Sequence, residues 1–452
     1  MSVYRKRLAA CAFGAAAMVW ATGAQVEAQA QPPAPQPHEH HAPAPQDEHA
    51  GHAVPQAPPA HAGHDMAAMA REGSGTSWLP AASPIYAFHG TRAGWQLMGH
   101  FNAFAQFLHE SGDRGASQGG SINWFMGMAQ RPLSRGRLAV RGMVSLEPFT
   151  IPGCGYPDLL ASGEQCDGEP IHDRQHPHDL FMELSAQYDA PLTRGLRWQL
   201  FAGPAGEPAL GPVAFPHRVS AMPNPVAPLS HHWLDATHVV FGVMTGGVYG
   251  ARWKAEASVF NGREPDEHRT DFDFGALDSV SARFSYSPVP AVVLQVSAGQ
   301  LTEAEAGDHG GPRVDVTRTT ASAIVHTGAH ATRLWATTLA WGRNAEAGHA
   351  SNAFLVESAL SLHDRDTWFG RFETTGKTGH DLDLPLGDEV FTVAKLQGGY
   401  TRSFAARRGI VPGVGGALSA GIVPQSLVPA YGGRVNPGVA FFVTVRPARV
   451  MM

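Results

Sequence analysis

From about Gly94 to the C-terminus, apolar residues recur at every second position. Within Arg137–Pro148, Leu138, Val140, Gly142, Val144 and Leu146 fall on one face, and Arg141, Ser145 and Glu147 fall on the other. Further on, Leu180, Met182, Leu184, Ala186 and Tyr188 alternate with Phe181, Glu183, Ser185 and Gln187. Trp253, Ala255, Ala257 and Val259 alternate with Lys254, Glu256 and Ser258, and Trp368, Gly370 and Phe372 with Phe369, Arg371 and Glu373. Successive side chains of a strand point to opposite faces, so a period of two predicts strands with one apolar and one polar face. About sixteen such strands are expected, beginning near positions 94, 120, 136, 178, 195, 238, 251, 277, 291, 317, 332, 352, 366, 389, 412 and 437.

Alternation of this kind also fits a soluble all-β secreted domain, so the connections have to decide. Links after even-numbered strands are short, as in Arg131–Arg135, Ala190–Arg194, Ser287–Ala291, Gly328–Thr332 and His363–Asp366. Those after odd-numbered strands are mostly long, including Phe149–Pro177, Ala205–Thr237 and Gly262–Ala276. Short turns on one rim and long loops on the other, joined by strands of ~10 residues, mark outer-membrane barrels. The expected fold is therefore all-β, a transmembrane antiparallel β-barrel of about sixteen strands (roughly 12 to 18) over residues 91–452. An even count brings both ends of the barrel to the periplasmic side. Trp95, Trp124, Trp198, Trp253 and Trp368 suit interface girdles, although residue type alone fits a core equally well. The last strand, GVAFFVTVRPARVMM, ends in Met rather than in the terminal aromatic common in such barrels.

Composition narrows the choice further. Only 16% of residues are charged and 43% are hydrophobic, yet no run beyond the first thirty residues approaches the ~20 apolar residues of a membrane helix. A helical membrane protein is excluded, and a formal charge of −6 argues against a nucleic-acid partner. Residues 1–30 read as an export signal: Arg5, Lys6 and Arg7, then an apolar stretch from Leu8, then Ala28-Gln29-Ala30. Cleavage before Cys11 would leave almost no apolar segment, so lipidation is rejected. Export leaves Cys154 and Cys166 as the cysteines of the mature chain, and the Gly/Pro-containing segment between them suits a loop-closing disulfide. Residues 31–90 are expected to be a disordered Pro/His-rich periplasmic tail and lead-in, lacking the aliphatic residues to build a core.

The histidines concentrate candidate metal chemistry. His38, His40, His41, His49, His52, His61 and His64, followed by Met66 and Met69, give the tail imidazole and thioether ligands that suit copper or zinc ions. A second set lies in two long loops. IHDRQHPHDL holds His172, His176 and His178, and SHHWLDATH holds His231, His232, Asp235 and His238. In an extended segment His176 and His178 point to the same side. Between them GEPALGPVAFPHR carries Glu207, His217 and Arg218. The competing reading is a polar lumen network, in which Arg174 and Arg218 are salt-bridged rather than set beside a cation. Enzyme motifs fail: TTGKT at Thr374–Thr378 is half a phosphate loop, no H-E-x-x-H occurs, and Ser419 lacks the first Gly of a nucleophile elbow. No catalytic residue and no obligatory cofactor is expected.

The blocks DRQHPHDLFMELS, GEPALGPVAFPHR, HHWLDATH, FNGREPDEHR and LDSVSAR resemble shared blocks of a largely uncharacterised family of exported proteobacterial proteins. The resemblance runs from about Gly94 to the C-terminus and is tightest over Met143–Arg283. It implies an outer-membrane β-barrel associated with heavy-metal (copper) resistance loci, and it transfers no catalytic role. The tail is similar in composition to that of copper resistance protein B, with one H-x-x-H-x-M stretch at His61–Met66. Taken together these features lead to an outer-membrane barrel in metal-ion handling or efflux/uptake, whose tail captures metal while the loop histidines line or gate the barrel. The alternative is a general or anion-selective porin with Arg141, Arg174 and Arg283 lining the lumen. Its partners are outer-membrane lipid and metal ions or small solutes.

Overall fold

A computed structural model describes residues 71–305, 312–328, 332–346 and 348–450. The expected signal peptide and the tail histidines, with Met66 and Met69, lie outside the described residues. The strands are β1 (Phe88–Arg92), β2 (Trp95–Glu110), β3 (Ser117–Leu133), β4 (Gly136–Val144), β5 (Tyr156–Cys166), β6 (Glu169–Gln175), β7 (Phe181–Thr193), β8 (Leu196–Ala205), β9 (Val243–Tyr249) and β10 (Trp253–Phe260). They continue as β11 (Ser279–Tyr286), β12 (Val292–Glu305), β13 (Val314–Thr327), β14 (Arg333–Glu346), β15 (His349–Leu362), β16 (Asp366–Lys377), β17 (Phe391–Ser403), β18 (Ile410–Ile422) and β19 (Val435–Pro447).

Sixteen of them, β2–β4 and β7–β19, pair antiparallel in chain order, and β19 returns to β2 to close the barrel. The expected strand starts lie within about five residues of the observed ones, the largest gap being at β9. β1 pairs with the start of β2, from Phe88↔Gly99 to Arg92↔Trp95. β19 pairs with the rest of it, from Val445↔Ala103 to Gly438↔Glu110, so the two chain ends share one edge of β2.

The burial pattern is inside-out relative to a soluble barrel. Apolar residues such as Val356, Leu396, Leu418 and Phe441 are exposed on the outer face. On the inner face, Arg137, Arg141, Lys254, Glu256, Arg283, Glu357, Arg371, Glu373 and Lys395 are buried. Closure removes every sheet edge, which lets such a surface sit in hydrocarbon. In β10 the alternation is complete, with Lys254, Glu256 and Ser258 buried and Ala255, Ala257 and Val259 exposed.

Two details depart from the expected faces. The β4–β7 register shifts between Met143 and Val144, where Met143 faces Glu183 and Val144 faces Phe181. That bulge turns Met182 inward, away from the face expected for it beside Leu184. Trp124 is also inward and buried, not part of a girdle, because it lies on the polar-face register of β3 opposite Asn102.

The lumen is occupied by three inward segments. The first lies within the expected lead-in, which is folded from Arg71 onward: Ser74, Thr76, Ser77, Trp78 and Leu79 are buried. Glu72 binds Arg137 at 2.7 Å and Arg141 at 2.8 Å, and Lys254 Nζ donates to the Thr76 carbonyl. The second is the hairpin β5–β6, inside what reads from sequence as one long loop. A Cys154–Cys166 disulfide ties the two ends of its first strand, β5, and Lys395 on the barrel wall reaches Asp158 at 2.6 Å and Glu110 at 2.7 Å. The third, residues 206–241, leaves β8 and crosses to β15–β17; β16 stands eight places from β8 in the strand order, directly across the barrel. There Arg371 Nη1 donates to the Val226 carbonyl (2.8 Å), and Glu373 accepts the Leu229 and Ser230 amides (3.1 and 2.9 Å).

Candidate functional site: a histidine cluster inside the barrel

Residues 176–178, which lead into β7, meet the short helix α1 (Glu147–Thr150) and the helix α2 (His231–Leu234) of the third inward segment. The meeting point gathers five imidazoles. Ring centroids lie 5.3 Å apart for His178–His238, 5.1 Å for His231–His238 and 5.3 Å for His231–His232. His176 is 6.4 Å from His231 and 6.0 Å from His232. Two sequence-distant loops therefore converge.

Four of the rings meet an oxygen acceptor through Nδ1, and the His176 ring lies against Gln175 Nε2 at 3.2 Å. His231 Nδ1 lies 2.9 Å from Asp235 Oδ1, His178 Nδ1 2.9 Å from Glu147 Oε2, and His232 Nδ1 3.1 Å from Glu264 Oε1. His238 Nδ1 lies 2.8 Å from the Asp235 carbonyl. Carboxylates and carbonyls only accept, so these contacts place the proton on Nδ1 and leave the lone pair on Nε2. The Nε2 atoms of His232 and His238 are buried without a hydrogen-bond partner among the described residues. Burial pushes His231 down to about 4 despite Asp235 beside it, and puts His238 well below the ordinary range. These rings are neutral at pH 7. Burial alone would raise Asp235, but Arg218 and then His231 pull its carboxyl below the usual carboxylate range.

The cluster borders a small cavity lined also by Asp179, Glu264, Glu305 and Arg318. Imidazoles anchored through Nδ1 by carboxylates are the arrangement that orients metal-binding histidines. Yet among the described residues no three ligand atoms of this cluster lie within 4.8 Å of one another. The two groups that do are Cys154, Cys166 and Asp167, whose sulfurs are bonded to each other, and the loop carboxylates Asp266, Asp271 and Asp273.

Not every expected residue joins. His172 stands apart on β6, its Nδ1 3.6 Å from Asp383. Arg218 is ion-paired as the polar-network reading requires, to Asp235 and Glu357, both at 2.7 Å. Arg174 has no part in the lumen wall: it lies on the hairpin and donates to Gln118 at 2.7 Å. Arg141 and Arg283 do line the lumen, but Glu72 holds the first and Glu256, at 3.2 Å, the second. Sequence reasoning missed Glu147 and Glu264, whose role depends on contacts 31 and 32 residues away along the chain.

A closed sixteen-stranded antiparallel barrel with an apolar outer belt and a charged inner wall defines the outer-membrane porin type of fold. No protein-family model matches the chain, and no curated protein sequence matches it. Among solved structures, the chain is similar to OmpF of Salmonella typhi, in complex with daunomycin, at 10% identity and a TM-score of 0.50, over 79% of this chain and 100% of that one. The outer-membrane channel DcaP of Acinetobacter baumannii aligns at 8% identity and a TM-score of 0.45, over 80% of this chain and 100% of that one.

Proposed function

We propose that the protein is an outer-membrane channel of restricted bore, passing small ionic solutes between the barrel wall and the three inward segments. The observation that carries this reading is the third segment, which spans the lumen and is fastened to the far wall by Arg218, Arg371 and Glu373. A charged inner wall favours ions over apolar solutes, and its paired arginines and carboxylates give it no single dominant sign. The start of β2 and the end of β19 lie on the rim of the short turns, which supports a periplasmic position for the segment before Arg71. Planar-bilayer recording on the purified full chain tests this. Small discrete conductance steps are expected, enlarged by Arg218→Gln; a folded protein that leaves the bilayer non-conducting in both forms overturns the reading.

A second reading, metal-ion handling, is favoured by the five converging imidazoles. In it, copper or zinc captured by His38, His40, His41, His49, His52, His61, His64 and Met66 passes to His176, His178, His231, His232 and Asp235. Calorimetric titration with Cu(II) and Zn(II) should show reduced uptake after deletion of residues 31–70, and a further fall with His231→Gln. Equal uptake in all three forms would remove the reading.

A further inference from the structure

Seven methionines fall within the described residues, and their distribution is uneven. Met244 is exposed at 46% on the outer face. Met98, Met126, Met128 and Met222 line one cavity, and Met143 and Met182 pack behind them.

The strand register builds this site. Met98 pairs with Met128, His100 with Met126 and Asn102 with Trp124 across β2 and β3, all on the inward face. Side chains directly opposite on one face of a ladder are nearest neighbours. The third inward segment then lowers His217 onto them: its ring lies 4.9 Å from Trp124 and 5.6 Å from His100, which is itself 5.1 Å from Trp124. His100 Nε2 is buried with no hydrogen-bond partner among the described residues.

We propose that this cavity binds a soft monovalent metal ion, Cu(I) or Ag(I), through the imidazoles of His100 and His217 and the thioethers of Met98, Met126, Met128 and Met222. Thioether sulfur is polarisable and selects soft d10 ions over hard or divalent ones. The charge balance agrees. Glu72 is the carboxylate that lines the cavity, and it is taken by Arg137 and Arg141 at 2.7 and 2.8 Å. With that carboxylate engaged, the remaining donors are neutral and the Arg446 guanidinium also lines the cavity, so a single positive charge is far less costly there than a double one. Methionine as mere filler would leave the orphaned His100 nitrogen unexplained, since leucine packs the same volume without sulfur.

Equilibrium dialysis of the full-length protein in detergent against Ag(I), a probe that needs no reductant, counts the bound equivalents. The double variant Met126→Leu, Met128→Leu keeps the volume, and tail ligands contribute the same background to both proteins. Wild type should retain one Ag(I) equivalent more than the double variant, while Met143→Leu, behind the cavity, matches wild type. X-ray absorption at the silver edge should lose sulfur scatterers in the double variant. Equal equivalents in wild type and the folded double variant overturn the proposal. Should the double variant fail the electrophoretic test of barrel folding, His217→Gln is read in the same way.

Discussion

Arg218 and Glu357 meet at 2.7 Å in the middle of the barrel, one on the segment that crosses the lumen and the other on the wall strand β15. Both are wholly withdrawn from solvent, and Arg218 also holds Asp235 at 2.7 Å. Removing the cation takes the nearest counter-charge from two buried carboxylates, leaving Glu357 with Arg371 at 3.2 Å and Asp235 with His231 at 2.9 Å. Arg218→Ala is expected to destabilise the barrel by about 3–5 kcal/mol, the usual cost of breaking a buried pair from one side. Denaturant unfolding in detergent checks this; a loss under ~1 kcal/mol would mean the segment is held by its backbone contacts alone.

Val356 lies near the middle of β15 and points outward, 46% exposed, opposite Leu339 on β14. If that belt faces hydrocarbon, Val356→Arg should cost about 2–4 kcal/mol, the penalty for a cation near the bilayer midplane. Ser358→Arg, closer to the strand end, should cost less. Folding into vesicles, followed by electrophoretic mobility, measures both, and equal costs would contradict the lipid-facing assignment.

Glu207 begins the third inward segment, with Arg283 at 3.5 Å and its Oε2 buried without a hydrogen-bond partner among the described residues. Burial pushes its carboxyl up to about 8, from an ordinary value of 4.5. Between those values the unfolded chain has released the proton and the folded chain still holds it, so this residue's contribution to stability falls as pH rises and levels off above 8. Glu207→Gln removes the ionisable group and should flatten that part of the stability-against-pH curve. Parallel curves for the two proteins between pH 5 and 8 would refute the shift.

The Cys154–Cys166 bridge closes a loop of sequence separation 12 around β5, the first strand of the hairpin β5–β6. Chain entropy assigns such a link about 3 kcal/mol, and the hairpin forms a sheet separate from the barrel wall. Reduction is therefore expected to raise hydrogen exchange over residues 156–175 and leave β14–β16 unchanged. Uniform loss of protection across all strands would show that the hairpin supports the whole barrel.

The barrel wall was legible because lipid and lumen impose opposite chemistry on alternate residues, as Lys254, Glu256 and Ser258 against Ala255, Ala257 and Val259 illustrate. Register was less so: the bulge beside Met182 reverses a face, and nothing local to that residue announces it. The inward segments escaped for a different reason. Their backbones are buried on all sides, so no amphipathic period develops, and the clue was compositional. GEPALGPVAFPHR is small and apolar where a solvent-facing loop would be polar, and Ala209, Leu210, Val213 and Ala214 are indeed buried. Half of the histidine cluster was readable from spacing. The Met98–Met128 and His100–Met126 pairs were not, because cross-strand neighbours appear only once register is known.

Glu72 is clasped between Arg137 and Arg141, two residues of β4 that share its carboxylate from inward positions on either side of Ala139. The clasp stands at the entry of the chain into the lumen, with Trp78 stacked beneath the Arg71 guanidinium just beyond it. Any mechanical load applied upstream of Arg71 is thus delivered to the Arg71 guanidinium, held by the Ala251 carbonyl at 2.8 Å, and to the Glu72 carboxylate before it reaches a strand. The wall can stay intact while the thread inside it is drawn, so traction on the leading chain would work as a ripcord on the lumen's contents.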